Sequence, residues 1–167
     1  MNNTSMQLFK LSEVKGSFRS FLIVFIISLT IGYSFGLYYI SISSGFTGQT
    51  IEENYNGNED NEAADIMKFK MSEKEVVSII HGHIVSFSLI FLAIGFLLFQ
   101  SSYSGKLISF LAIEPFISII VTFSGIWLLW KGYSWMKFIV IISGTIMHLA
   151  FICSVLLIFY DLLKKRE

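Results

Sequence analysis

Four long apolar stretches, set apart by polar connections, dominate the chain. They run from about residue 18 to 43, 76 to 99, 107 to 130 and 136 to 163. About 20 apolar residues cross the ~30 Å hydrocarbon core of a bilayer at 1.5 Å per residue, and each stretch exceeds that length. In hydrocarbon the backbone must pair its own N–H and C=O groups, so each stretch is expected to be helical. The pattern predicts an all-α transmembrane four-helix bundle. Its helices are expected over about 18–43, 73–100, 106–130 and 136–163, within one integral membrane domain of residues 1–167. An extramembrane loop is expected over about 44–72.

The polar connections refine this picture. Ser72-Glu73-Lys74-Glu75 reads as a capping box, with Ser72 as N-cap, so the second helix starts before the membrane. The loop before it is acidic, with Glu52, Glu53, Glu59, Asp60, Glu62 and Asp65, and Asn54, Asn56, Gly57 and Asn58 mark a turn in it. The Asp/Asn alternation of a calcium loop is absent, which leaves a solvated connection. The first stretch is too long for a secretory signal and no A-x-A-like site follows it, so it is expected to be a retained helix. Lys10, Lys15 and Arg19 precede helix one, and Lys164, Lys165 and Arg166 follow helix four. By the positive-inside rule both termini are expected to be cytoplasmic. The turn Gln100 to Lys106 then lies inside. The turn Lys131 to Trp135 lies outside, with Trp127, Trp130, Tyr133 and Trp135 as an aromatic belt.

Composition agrees with a lipid environment. Of 167 residues, 54% are hydrophobic and 14% charged, against about 25% charged in soluble domains. Mean hydropathy is +0.68. The formal net charge of zero gives no case for a nucleic-acid partner. The expected partner is the lipid bilayer. Cys153 is the sole cysteine, which excludes an intramolecular disulfide.

Small residues mark helix contacts in lipid, where apolar surface gives no driving force. Ser28, Gly32 and Gly36 form such a stripe on helix one. Glu114, Ser118 and Thr122 form one on helix three. Gly144 and Thr145 lie one turn before His148 on helix four. These stripes are expected to face the interior.

His81, His83 and His148, the three histidines of the chain, all lie within the apolar stretches. An ionisable side chain in hydrocarbon is costly and marks a functional-site hypothesis. His81 and His83 are two apart, about 200° around a helix, so they cannot share one ligand. Ser78, Ser88 and Gly95 on the His81 side favour His81 as the inward one. Counted from the cytoplasmic helix ends, His148, His83 and His81 lie about 21, 25 and 28 Å deep, in the outer half of the bundle. Three chemistries stay open. Haem fits two imidazoles on facing helices, with His148 as one axial ligand and His81 or His83 as the other. Copper or zinc at His81 and His148 is a second, although the i,i+2 spacing suits it poorly. The third is plain interhelical hydrogen bonding. Glu114, beside Pro115, is a proton or ion candidate if it sits in hydrocarbon, and an interfacial carboxylate otherwise. Asp161 reads as an interfacial partner of Lys164 and Lys165. No nucleophile–base pair or phosphate loop supports a hydrolase or nucleotide enzyme.

Three segments carry a family resemblance. They are Gly36-Leu37-Tyr38-Tyr39 closing helix one, then Gly48-x-x-x-Glu52-x-x-Tyr55-x-Gly57-Asn58, and His81-x-His83 at the start of helix two. Lys70-Met71-Ser72 is a loose form of the family's Lys-Ser pair. With these the chain resembles an uncharacterised family of small bacterial four-helix inner-membrane proteins. The resemblance implies the topology, the His pair, a bacterial inner membrane and the packing of Tyr55 and Gly57 over the histidine end. It implies no activity. The expected function is an intramembrane histidine site, haem- or metal-binding and accessory to membrane redox subunits. The alternative is a non-catalytic membrane subunit or assembly factor whose histidines lock helices together. A small proton-coupled carrier would rest on Glu114.

Overall fold

The computed structural model of the protein describes residues 8–59, 61, 66–103 and 105–164. Asp60, Glu62, Asp65, Lys165 and Arg166, used above to read charge, lie outside these residues. A single 3₁₀ turn, Leu11–Glu13, leads into α1 (Gly16–Ser43), α2 (Gly48–Asn56), α3 (Glu73–Phe99), α4 (Lys106–Trp130) and α5 (Met136–Leu163). Four of these, all but α2, are long and apolar enough to cross a membrane, and the described residues contain no strand. The expected all-α fold with four spans is therefore present.

Local sequence explains the helix starts. Ser72 Oγ accepts the Glu75 N–H, and the Glu75 carboxylate accepts the Ser72 N–H at 2.8 Å, closing the expected capping box. Inside the loop expected to be irregular lies α2. Its cap is Thr47, whose hydroxyl accepts the Thr50 N–H, while Thr50 Oγ1 accepts the Thr47 N–H. Ile51 and Tyr55, four apart, give this helix one apolar side, and Gly57 ends it with φ +82°.

The closest packing is between α4 and α5, followed by α3 on α4. At Gly125 of α4 a β-carbon would lie 2.9 Å from Val140 Cγ2 of α5, so the glycine is what allows the approach. One turn away the hydroxyls of Thr122 and Ser143 share a 2.7 Å hydrogen bond across the seam. Pro115 is buried within an uninterrupted α4. Helix α1 touches the rest mainly through α5 and stands off from α3.

Each end of the bundle carries its own fastening. At the end that holds both described termini, Gln100 is 2% exposed. Its Oε1 accepts the N–H groups of Leu8 and Phe9 at 2.8 and 3.1 Å, and its backbone carbonyl accepts that of Leu11 at 2.9 Å. Arg19 Nε donates to the Leu162 carbonyl at 2.8 Å. Asp161 corrects the expected interfacial position: it is 1% exposed and accepts the Ser102 N–H at 2.8 Å, so it caps the α3–α4 turn, while Lys165, one of its expected partners, lies outside the described residues.

At the opposite end α2 lies against α4 and α5. Asn56 Nδ2 donates to the Leu129 carbonyl at 2.8 Å, and Lys137 pairs with Glu52 at 2.7 Å. Residues 66–71 return beside α2, with Met71 N–H donating to the Tyr55 carbonyl and Trp130 Nε1 to the Met71 carbonyl. Trp130 is therefore buried by the loop, whereas Tyr133 and Trp135 are exposed as the belt reading requires. Lys131 lies over both Trp127 and Trp130, at 4.8 and 4.5 Å from the ring centroids.

Candidate functional site

The gap between α1 and α3 holds a cavity of about 440 Å³, floored by α5. Its walls follow from residue size. Gly32 and Gly36 on α1 and Gly82 on α3 have nothing within 4 Å of where a β-carbon would stand. Ser78 and Ser86 extend the α3 wall. Gly32 and Gly36 of the helix-one stripe thus do not press against a neighbour as expected but line an opening, and Ser28 is exposed outside it. Gly144 likewise meets nothing within 4 Å, and Thr145 is exposed. The inward face of α5 is instead built by Val140, Ser143, Met147, Ala150, Phe151 and Ser154.

Two of the three histidines line this cavity: His83 and His148. His81 is exposed, does not line it, and makes no hydrogen bond with a described residue. This corrects the expectation that His81 faces inward. Small residues do not single out one face, because α3 carries them on more than one side: Gly95 meets Ala112 of α4 at 3.7 Å, whereas Ser78, Gly82 and Ser86 turn with His83 toward α1.

The floor is an aromatic cluster with one polar pair. Tyr33 Oη and His148 Nδ1 are 2.6 Å apart, which joins α1 to α5. The Tyr33 ring stacks on Phe151 at 3.6 Å and 7°, and meets the imidazole edge-on at 5.5 Å. Tyr33 is 8% exposed. His83 Nδ1 bonds the Ile79 carbonyl one turn back at 2.8 Å, and its ring lies 5.6 Å from Phe87 and 5.4 Å from Phe123. Phe87 stands between the two histidine groups, 6.1 Å from Tyr33. Tyr33 itself was missed in the sequence; its signal was a polar-tipped aromatic on the same side of helix one as Gly36 and Gly32.

The other candidates lie elsewhere. Glu114 is half-buried on α4 and accepts a hydrogen bond from Ser118 one turn along. Its Oε2 is buried with no hydrogen-bond partner among the described residues, as is Ser154 Oγ on α5. Glu114 does not line the cavity. Among the described residues no three His, Cys, Asp or Glu side chains gather where they would hold a metal, so the His81–His148 pairing has no third ligand. Tyr55 and Gly57 pack at the α2 end of the bundle. Burial, with Tyr39 nearby as a smaller cause, pushes the Tyr55 hydroxyl up to about 12. At Gly57 a β-carbon would meet the Lys68 carbonyl and the Lys70 nitrogen at 2.8 Å.

A family model described as a transmembrane helical domain matches residues 45–167, the stretch that holds α2 to α5. The chain belongs to this family. His83 and His148 lie within the matched stretch, whereas Gly32, Tyr33 and Gly36 precede it. No curated protein and no solved structure matches the chain.

Proposed function

We propose that this membrane protein holds a membrane-soluble ligand in the cleft between α1 and α3, as an accessory to membrane redox chemistry. The supporting observation is the 440 Å³ cavity, which falls in the size range of small-molecule sites, about 300–1,000 Å³. It has an apolar lining and a small number of convergent polar atoms, the usual make-up of such sites. It lies between two spanning helices, so a ligand would enter from the bilayer. The orientation that goes with this reading has both termini cytoplasmic, in a bacterial inner membrane. The test is to fill the cleft. Gly36→Leu has open space to occupy and is expected to leave the fold intact while removing the bound molecule, read by mass spectrometry of organic extracts from both purified proteins. Identical extracts would remove the ligand reading. Reporter fusions at each terminus test the orientation.

Haem is the second reading, favoured by one observation. His83 and His148 both line the cleft with Nδ1 already engaged, at Ile79 and Tyr33, which leaves each Nε2 available to a ligand. A ligating histidine characteristically has its other ring nitrogen held in this way. Protein purified after haem-replete expression should then show a Soret band that His83→Ala and His148→Ala abolish and His81→Ala preserves. A spectrum without that band ends this reading.

A further inference from the structure

The Tyr33–His148 pair has a hydrogen-bond donor left over, and this selects the ligand. A tyrosine brings one O–H and a neutral imidazole one N–H. Their shared bond uses one of the two, whichever tautomer is present. If Tyr33 donates to Nδ1, His148 Nε2–H remains. If Nδ1–H donates, the Tyr33 O–H remains. Neither group bonds any other described residue. At least one donor is thus unspent at the floor of an apolar cleft, where an unpaired polar group is costly.

Depth narrows the acceptor. His148 is 12 residues from the start of the 28-residue α5, about 18 Å along a helix about 42 Å long. Tyr33 is 10 residues from the end of α1, about 15 Å. Both lie near the middle of the span. Phospholipid ester carbonyls sit at the edge of the hydrocarbon core, about 15 Å from its midplane, and would not reach this donor. The molecule that does carries its carbonyl into hydrocarbon. Gly32, Gly36 and Gly82 leave walls with no side chain, which suits a flat ring, and Tyr33 and Phe87 offer aromatic faces and edges to it.

We infer that the cleft binds the ring of a lipid-soluble quinone, with one ring carbonyl accepting the spare hydrogen of the Tyr33–His148 pair and the apolar tail leaving between α1 and α3. This inference rests on the ligand-binding reading above and names its substrate class.

The test uses the full-length protein in nanodiscs with decylubiquinone as probe, and decylbenzene as an analogue without a carbonyl. Saturable binding of decylubiquinone is expected, with decylbenzene at least tenfold weaker. Tyr33→Phe keeps the imidazole N–H and His148→Leu keeps the phenol O–H, so each single variant should change affinity less than threefold. The double variant removes both donors of the pair and should lose at least tenfold, a non-additive result that packing alone does not produce. Equal binding of the two probes to wild type overturns the inference, and does so even if the double variant fails to fold. Unchanged affinity in a folded double variant also overturns it. If decylubiquinone fails but extracts still show a ligand that Gly36→Leu displaces, the quinone assignment falls and the cleft reading stands. If neither is seen, both fall.

Discussion

Glycine does opposite work on the two sides of this bundle. Between α4 and α5, Gly125 admits Val140 to within 2.9 Å of the missing β-carbon, and the Thr122–Ser143 bond closes the seam. Between α1 and α3, Gly32, Gly36 and Gly82 meet nothing within 4 Å, and the space they leave is the cleft. A small residue in a spanning helix therefore states that no side chain is wanted there. Whether a neighbouring helix or a ligand takes up the space depends on what stands opposite.

The largest contrast should come from one substitution made on each side. Gly125→Leu forces α4 from α5 and is expected to cost about 1–3 kcal/mol or more, as overpacked cores do. Gly36→Leu should leave the thermal midpoint in detergent within error. Equal losses from the two would erase the distinction. Next in size is Gln100→Ala, which leaves the Leu8 and Phe9 N–H groups without their acceptor. A loss of about 1–3 kcal/mol is expected. Limited proteolysis should then cut ahead of α1 at a rate well above wild type. Thr122→Val removes the hydroxyl from the α4–α5 seam. Interhelical hydrogen bonds in membranes average about 0.6 kcal/mol, so the shift should be small beside that of Gly125→Leu.

The smallest effect belongs to the α2 end. The hydrogen bond from Lys137, then one from Ser134, holds the Glu52 carboxyl below the ordinary glutamate value. A carboxyl lowered on folding stabilises the docked helix above its unfolded value, and that contribution is lost as pH falls through its folded value. Protection of the α2 amides, taken relative to intrinsic exchange rates at each pH, should therefore fall as pH drops below about 4. Glu52→Gln should show no such step and should cost under about 1 kcal/mol, as a partly exposed pair does.

Much of the fold was legible because lipid imposes one rule on every spanning residue, and runs of apolar residues obey it visibly. The Ser72–Glu75 box was equally plain, since it is a local device. Helix α2 was not legible: nine residues with Ile51 and Tyr55 as its apolar pair make too short a period, and its stability comes from docking on α4 and α5. Asp161 misled for a similar reason. Its nearness in sequence to Lys164 and Lys165 suggested an interfacial ion pair, but it is buried and accepts the Ser102 N–H across the α3–α4 turn. The histidines were found by type and mis-aimed by face. Periodicity showed that His81 and His83 must part company; only the position of α1 shows which one meets the cleft.

The bonds that hold α1 also set an order of events during synthesis. Tyr33 waits for His148, 115 residues later, and Arg19 for Leu162, 143 residues later. Helix α1 is made before α5, and until α5 arrives it stands in the bilayer without either fastening. Docking of α1 is the step that turns three packed helices into a protein with a cleft. Any quality check on assembly that senses Arg19 or Tyr33 reads the arrival of α5.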